Sequence, residues 1–557
     1  MLIREEIAAL LTTAVEEAQR QELLPAAALP PILVERPQNP EHGDFACSLP
    51  LRLARAARLN PMEIAEQLAS LIPVAGAIKR VWTAPPGFVN FELKQDWLQA
   101  QATAINEVGD SYGNTQTGLG QNVQVEFVSV NPTGPIHVGH ARGAVLGSAL
   151  ADVMAAAGYN VTREYYVNDA GSQMQAFYGS LYARYAEALG KSDVEFPENG
   201  YRGEYMVEMG QEFATEFGNK FLDMPQEQGV AEIGAVGLDR MLVAIGEDLA
   251  RVGVSFDVWF SERDLFSQGQ YDKAMGLLEE QGYTAHRDGA KWFTSTALGE
   301  EKDNVLVRST GQPTYFASDV AYHFNKFVER GFDRVINIWG ADHQGHVPRM
   351  KAVIGALGVD PERLTILIAQ LVALRRGGEV MRVSKRTGEL ITLKELVDEV
   401  GADACRYFFL ARAAESQMEF DLELAKKEST DNPVYYVQYA HARISSILKL
   451  ARERDIDWSD GDVSLLTHEA ELALIRKMVV LPELVDTIAK NLTPHVLPHY
   501  ATELATAFHW FYDHCRVVSS NVEDMPMTKA RLQLCQASKT VLARTLTLMG
   551  MSAPEQM

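Results

Sequence analysis

Two histidines, His137 and His140, stand three apart in the run Asn131-Pro132-Thr133-Gly134-Pro135-Ile136-His137-Val138-Gly139-His140. The apolar segment VQVEFVSV before them reads as a strand. The residues after them recur at helical spacing to about Ala157, where Gly158 offers a stop. A strand that turns and opens a helix aims the helix's unbonded N–H groups, and the partial positive charge of that end, at the space beyond the strand. Such a place takes phosphate. At this spacing both imidazoles project from one side of the first turn, where each is able to donate a hydrogen bond to a phosphate oxygen. Gly139 presents bare backbone, against which a flat ring fits. A pair of histidines capping a core helix is the other reading; the Asn-Pro-Thr-Gly-Pro turn after an apolar strand favours the phosphate site.

A second basic element, Met381-Arg382-Val383-Ser384-Lys385-Arg386-Thr387-Gly388, follows the polar turn Arg375-Arg376-Gly377-Gly378. A lysine on such a loop is a point charge able to reach β- and γ-phosphates as pyrophosphate leaves. A solvated basic turn has the same composition. Two acids suit a positively charged ligand. Asp319 stands four residues after Tyr315 in PTYFASDVAYHFNKF, on one face of the helix this stretch predicts, with the small Ala317 and Ser318 between them. Glu126 lies inside VQVEFVSV, where an unpaired acid carries a desolvation penalty. It therefore needs a cation, either a ligand's or an internal one such as Arg142.

The elements that must hold these residues follow from the rhythm of the chain. From Val123 onward, strand-turn-helix units recur through VQVEFVSV, REYYVND, VLVRSTG, RVINIWG and LTILIAQLVAL, the last read as one buried strand from Leu364 to Leu374. Strands alternating with helices predict a parallel sheet wrapped by helices, an α/β unit over about 120–400 with a Glu-rich helical insertion at about 175–290. Residues 1–110 mix helical patterns with the strand-like AIKRVWTA and GFVNFEL around Pro85-Pro86-Gly87, an α+β unit. Residues 401–557 show no convincing strand and read as an all-helical bundle. There Tyr436, Tyr439 and Arg443 form one stripe, which either packs in the bundle or stacks splayed RNA bases. For 557 residues, three such units are an ordinary division.

Composition narrows the classes. The N-terminus MLIREEIAALL carries acids and no long apolar core, and no apolar run is long enough to span a bilayer, so a cytoplasmic protein without membrane contact is expected. Cys47, Cys405, Cys515 and Cys535 stand far apart without a C-x-x-C pair, so reduced thiols are expected and a structural zinc is not. A formal charge of −23 argues against a protein that coats nucleic acid non-specifically. It leaves open a partner recognised by shape through local basic strips.

The run N-P-T-G-P-I-H-V-G-H-A-R-G resembles the H-I-G-H segment of class I aminoacyl-tRNA synthetases, in the form typical of the arginyl-tRNA synthetase family. The resemblance covers nearly the whole chain. It implies a Rossmann-like catalytic sheet, ATP-dependent activation of L-arginine to arginyl-adenylate, and transfer to the 3′ end of tRNA(Arg) with release of AMP and diphosphate. By the same resemblance ATP, carrying Mg2+, is held by His137, Gly139, His140, Ser384 and Lys385, with His137, His140 and Lys385 catalytic. Ser384 and Lys385 keep the centre of a K-M-S-K-S loop, whereas Arg382, Val383 and Arg386 depart from it. Arginine falls to Glu126, Ser129, Asn131, His140, Tyr315, Asp319 and Gln344, the last in GADHQGH; Tyr322 completes a Y-x-x-x-D-x-A-Y match. Such a pocket has a physical rationale, because a guanidinium offers a planar fork of five donors that a carboxylate accepts in pairs. Gly401 to Arg406 is similar to the D-A-L-R segment that names the family's bundle, with Cys405 in place of Leu. The family likeness puts Tyr436, Tyr439, Arg443 and Met557 near the anticodon, and Phe88 and Asn90 near the outer corner of the tRNA. It implies a monomer that often needs tRNA before it activates arginine.

Overall fold

The computed structural model describes residues 2–26, 28–191, 193–381 and 391–557. In the N-terminal region, Ile7, Leu11, Ala14, Val15 and Ala18 recur every three or four residues along the helix Ile3–Arg20 and are all buried. Four antiparallel strands complete this α+β region: β1 (Val34–Glu35), β2 (Phe45–Cys47), β3 (Ile78–Ala84) and β4 (Phe88–Leu93), in the order β1-β2-β4-β3.

The middle of the chain contributes β5 (Asn122–Glu126), β6 (Asn160–Val167), β7 (Val258–Ser261), β8 (Thr284–Arg287), β9 (Ala290–Phe293), β10 (Asn304–Val307), β11 (Arg334–Gly340), β12 (Leu364–Ala369), β13 (Val372–Arg376) and β14 (Glu379–Val380), with β15 (Met418–Asp421) beyond them. Five of these form one parallel sheet, β12-β11-β5-β6-β7. The chain runs outward from β5 in one direction and from β11 in the other, so β5 and β11 flank the switch point where such sheets bind ligands at their carboxyl ends. In register there, Glu126 lies beside Asn337 of β11 and Glu164 of β6. The helix Val138–Ala156 crosses behind the sheet and is buried on nearly every side, from Val138 to Ala156. Gly147 allows that contact: a Cβ there would lie 2.2 Å from Phe127 Cγ.

Several elements differ from the sequence reading. LTILIAQLVAL is not one strand. It divides at Gln370-Leu371 into β12, in the parallel sheet, and β13, which joins a second sheet, β14-β13-β15. Strand β7 lies inside the stretch expected to be a helical insertion: after the helices Ser172–Ala188, Glu204–Phe217 and Gln226–Ala250 the chain returns to the main sheet for four residues, with Trp259 stacked on Tyr165 at 4.5 Å. A run of four residues is too short to show a period against helical surroundings. Strands β8 to β10 then form a small antiparallel sheet. Strand β15 interrupts the C-terminal part that was read as strandless. Beyond it the helices Pro433–Glu453, Glu469–Met478, Leu481–Asn491, Val496–His514 and Met525–Leu548 make the expected bundle. Ion pairs of Arg4 with Asp486, Arg36 with Glu483 (3.0 Å) and Arg476 with Asp44 (2.7 Å) dock the N-terminal region on that bundle.

Candidate active site

Strand β5 stops at Glu126, and the chain turns sharply out of the sheet. Val128 and Ser129 both take left-handed angles, φ 69° and 43°, which a β-branched valine adopts only under constraint. Strand β6 and the residues after it supply the constraint. The Ser129 hydroxyl donates to Glu126 Oε1 at 2.9 Å and accepts from the Tyr166 N–H at 3.1 Å. Asn168 Nδ2 donates to the Ser129 carbonyl at 3.1 Å, and the Tyr165 hydroxyl donates to the Val130 carbonyl at 2.8 Å. The turn so fixed leads to His137, which caps the helix Val138–Ala156: its Nδ1 accepts from the Gly139 N–H at 3.2 Å. The rings of His137 and His140 lie 3.7 Å apart, tilted by 34°. Two imidazoles thus share one side of a helix start, beside the exposed Gly139 backbone, which is the geometry of an anion site.

Acids collect where β5 and β6 end. Tyr166 is buried and packs on Tyr322, ring centroids 4.3 Å apart. Its hydroxyl has no hydrogen-bond partner among the described residues. Burial pushes this phenol well above its ordinary range, and Glu262, Asp319, Glu126 and Asp169 all push the same way. The Asp319 carboxylate likewise has no hydrogen bond or ion pair among the described residues. It is pushed up to about 7, first by burial, then by repulsion from Glu126 and Glu262, against the pull of Arg349 and Lys326. Glu262 is also raised by burial, opposed by a hydrogen bond with Ser318. A phenol and a carboxylate left unpaired among further carboxylates are completed by a cation with several donors.

A buried network holds this cluster in place. The cationic partner of Glu126 is Lys326, at 2.5 Å, and not Arg142, whose guanidinium donates to backbone carbonyls of residues 370 and 412–416. Lys326 Nζ also donates to Asn337 Oδ1 at 3.0 Å and lies 4.1 Å from the centre of the Tyr322 ring. Asn337 Nδ2 faces His323 Nε2 at 3.0 Å, and His323 Nδ1 faces the Asp319 carbonyl at 2.8 Å. Burial pushes His323 down to about 3, so it is neutral, with Nδ1 donating and Nε2 accepting. Tyr322 and Arg330 both donate to Glu164, at 2.6 and 2.5 Å. Lys326 reaches Glu126 because the helix Tyr315–Phe324 widens into a π-helical turn, Asn325–Glu329.

Comparison with known proteins settles the family. Residues 103–422 match the class I tRNA synthetase (R) catalytic domain, residues 3–93 the arginyl tRNA synthetase N-terminal domain, and residues 437–557 the DALR anticodon binding domain. An arginine–tRNA ligase of Dehalococcoides mccartyi is 58% identical over 98% of each chain. The chain belongs to the arginyl-tRNA synthetase family. Another arginine–tRNA ligase, from Carboxydothermus hydrogenoformans, is 49% identical over 94% of each chain. The solved arginyl-tRNA synthetase of Thermus thermophilus shares the fold, with a TM-score of 0.79 at 22% identity over the whole of both chains.

Of the residues expected to serve an arginyl-tRNA synthetase, the structure brings Glu126, Ser129 and Asp319 into the acid cluster and His137, Gly139 and His140 to the helix start. Tyr315 is exposed, its hydroxyl close to Gly171. Asn131 is exposed and donates to Gln173 at 2.6 Å, and Gln344 is exposed on the 3-10 turn Ala341–His346. Ser384 and Lys385 lie outside the described residues. Sequence reasoning missed Glu262 and gave Tyr166 no role; both stand on segments distant in sequence, joined to Asp319 only by the fold. In the bundle, Arg443 donates to the Tyr439 hydroxyl at 2.7 Å and lies over the Tyr439 and Tyr512 rings at 4.6 and 4.8 Å. Tyr436 meets His509 at 4.8 Å. His509 and Tyr512, from the neighbouring helix Val496–His514, extend the stripe that the sequence showed on one helix alone. The chain end, with Met557 exposed, runs past Asp403 and along the helix Pro433–Glu453: Ser552 N–H donates to Asp403 Oδ1 at 2.9 Å and His441 Nδ1 lies 2.8 Å from the Pro554 carbonyl. In the N-terminal region Phe88 is half-buried. Asn90 is buried opposite Trp82 and Ala46, and neither of its amide atoms has a partner among the described residues.

Proposed function

We propose that this chain is an arginine–tRNA ligase that activates L-arginine with ATP and passes it to the 3′ end of tRNA(Arg). The observation that carries the reading is the Asp319 carboxylate and the Tyr166 hydroxyl, both without a partner among the described residues, gathered with further acids where the strand leading to a histidine-capped helix ends. The guanidinium pairs with Asp319, with Tyr315, Gln344 and Glu262 completing its surroundings. Ser129 and Asn131 hold the α-amino and carboxylate end, and Glu126, braced by Lys326, stands with Asp319 as the second acid of the side-chain pocket. The carboxylate attacks the α-phosphate of ATP in line, while His137, His140, Lys385 and the Mg2+ that enters on ATP stabilise the charge that develops. Ser384 and the Gly139 backbone complete the nucleotide site. The 3′-terminal ribose hydroxyl then takes the arginyl group, AMP leaves, and no covalent enzyme intermediate is required. Phe88 and Asn90 meet the tRNA's outer corner; Tyr436, Tyr439, Arg443 and Met557 meet its anticodon. The protein works as a monomer in the cytoplasm.

Lysine also carries one charge, yet its ammonium cannot span acceptors arranged for a fork, so the penalty of unpaired carboxylates separates the two substrates. Aminoacylation of bulk tRNA with each labelled amino acid in turn tests the reading. Arginine alone is expected to be transferred. Asp319→Ala raises the KM for arginine by about two orders of magnitude with the KM for ATP nearly unchanged. Transfer of a different amino acid, or equal effects of Asp319→Ala on both substrates, would remove the assignment.

A further inference from the structure

Arg142, two residues beyond His140, is wholly buried on the helix Val138–Ala156. Its Nη1 donates to the carbonyls of Gln370 at 3.0 Å and Ser416 at 2.7 Å, and its Nη2 to those of Ala413 at 2.7 Å and Arg412 at 3.4 Å. Among the described residues no carboxylate pairs with it; Glu415 exerts only a distant pull. A buried cation held by carbonyls alone carries a large desolvation penalty, and removing it would strand those carbonyls. What distinguishes this arginine is where those carbonyls lie.

The four carbonyls come from two separated segments, and each segment leads directly into a strand. Gln370 precedes β13, and the 412–416 turn precedes β15, which pairs in parallel with β13 from Val372 and Met418 onward. The Gln370 N–H also donates to the Ala414 carbonyl at 2.9 Å. One guanidinium thus joins the histidine-capped helix to the base of the β14-β13-β15 sheet. Residues 391–393 lie against the same helix start. The Val138 N–H donates to the Ile391 carbonyl at 3.1 Å, the Leu393 N–H donates to the Ile136 carbonyl at 2.8 Å, and His137 bridges Thr392. The histidine turn thus meets residues 391–393 through backbone, and its helix meets the base of the sheet through Arg142.

The geometry points to Arg142 as a positioning residue for adenylate formation: it sets the distance between the His137–His140 turn and the sheet that faces it, so that the ATP phosphates meet both at once. This rests on the reading of the site as an arginine-activating centre. A lysine in its place keeps the charge but offers one donor head, which cannot span carbonyls of two segments. Misplacement on the scale of an ångström far from the reacting atoms lowers rates by about a hundredfold.

The test is arginine-dependent ATP–pyrophosphate exchange, with saturating tRNA, on full-length Arg142→Lys and Arg142→Met. Active-site titration gives the folded, competent fraction, so that rates are stated per folded enzyme. The expected result for Arg142→Lys is a fall in kcat of about a hundredfold and a rise in the KM for ATP of about fivefold or more. The KM for arginine and the KM for tRNA stay within about twofold of the original. If Arg142→Met does not fold, Arg142→Lys alone carries the comparison. Normal kcat and ATP KM per folded molecule, or ATP and arginine KM values that rise together, overturn the inference. Loss of arginine-dependent exchange in the unaltered protein would instead sink the functional reading on which it rests.

Discussion

A carboxyl that titrates near neutrality ties substrate binding to pH. Asp319 is pushed up to about 7 by burial and by the charges of Glu126 and Glu262. A guanidinium keeps its charge across this range and, bound at Asp319 as proposed, pairs with the ionised acid. Below pH 7 the free enzyme holds Asp319 protonated, and binding arginine must release that proton. The sign follows: arginine affinity is complete above the free-enzyme pKa and is lost as pH falls through it, by about tenfold per unit. Initial-rate measurements should show the KM for arginine rising below about pH 7 and level above it, with the KM for ATP following a different course. Asp319→Asn should flatten the profile at a higher KM. A flat profile in the unaltered enzyme would mean that Asp319 stays ionised and lies outside the pocket. The histidine pair was legible in the sequence because its members stand three apart at a helix start, and Asp319 because it sits on a helix whose spacing the sequence shows. Tyr166 and Glu262 were not, because β6 and the segment after β7 reach Asp319 only through the sheet. The cation on Glu126 shows the same limit: burial of an acid on a strand demanded a partner, but only the fold chose Lys326 over Arg142.

At the scale of elements, local pattern gave the helices and most strands, and failed where a run serves two structures. LTILIAQLVAL is uniformly apolar, so nothing in it marks the break at Gln370-Leu371; that break is fixed by Arg142 and by the Ala414 carbonyl, both remote. The helix Tyr315–Phe324 followed from its periodicity, but the π-helical turn after it did not, since ordinary helical spacing carries Lys326 to a different azimuth. That turn is what delivers the ammonium to Glu126, Asn337 and the Tyr322 face, with burial lowering the lysine's pKa and Glu126 and Glu164 raising it. Lys326→Met should therefore leave a buried, uncompensated Glu126 and lower unfolding free energy by about 3–5 kcal/mol. Pairing it with Glu126→Gln should recover much of the loss, because the double change removes both charges. Urea denaturation of the four proteins in this cycle measures both. Losses of the two single variants that simply add in the double would show that the pair is not coupled.

Across the whole molecule, the last residues of the chain link the bundle to the catalytic sheet. The Gly401 to Arg406 stretch and the C-terminal residues both stood out in the sequence by likeness, with nothing to say that they touch. Arg406 is fully buried and donates to the Met549 carbonyl, to the Val252 carbonyl at 2.6 Å and to Ser148 Oγ at 3.2 Å. It thereby joins the chain end, the close of the helix Gln226–Ala250 and the histidine-capped helix in one contact. Beyond Gly550 the chain runs past Asp403 and Gln438 to His441, alongside the Tyr436–Arg443 stripe. Gly550 is the corner: its φ is +69°, and a Cβ there would lie 2.1 Å from Arg406 Cζ. Gly550→Ala must displace either the guanidinium or the chain end, at about 2 kcal/mol or more. If the chain end gives way, the stripe loses its neighbour while the acid cluster, tied by its own network, stays intact. The KM for tRNA should then rise by about tenfold, while the KM values for arginine and ATP at saturating tRNA hold. A well-folded Gly550→Ala protein with an unchanged tRNA KM would show that the path of the chain end does not matter to the tRNA. Arginine and ATP constants that moved with the tRNA constant would show instead that the guanidinium yielded and carried the disturbance through Ser148 into the histidine-capped helix.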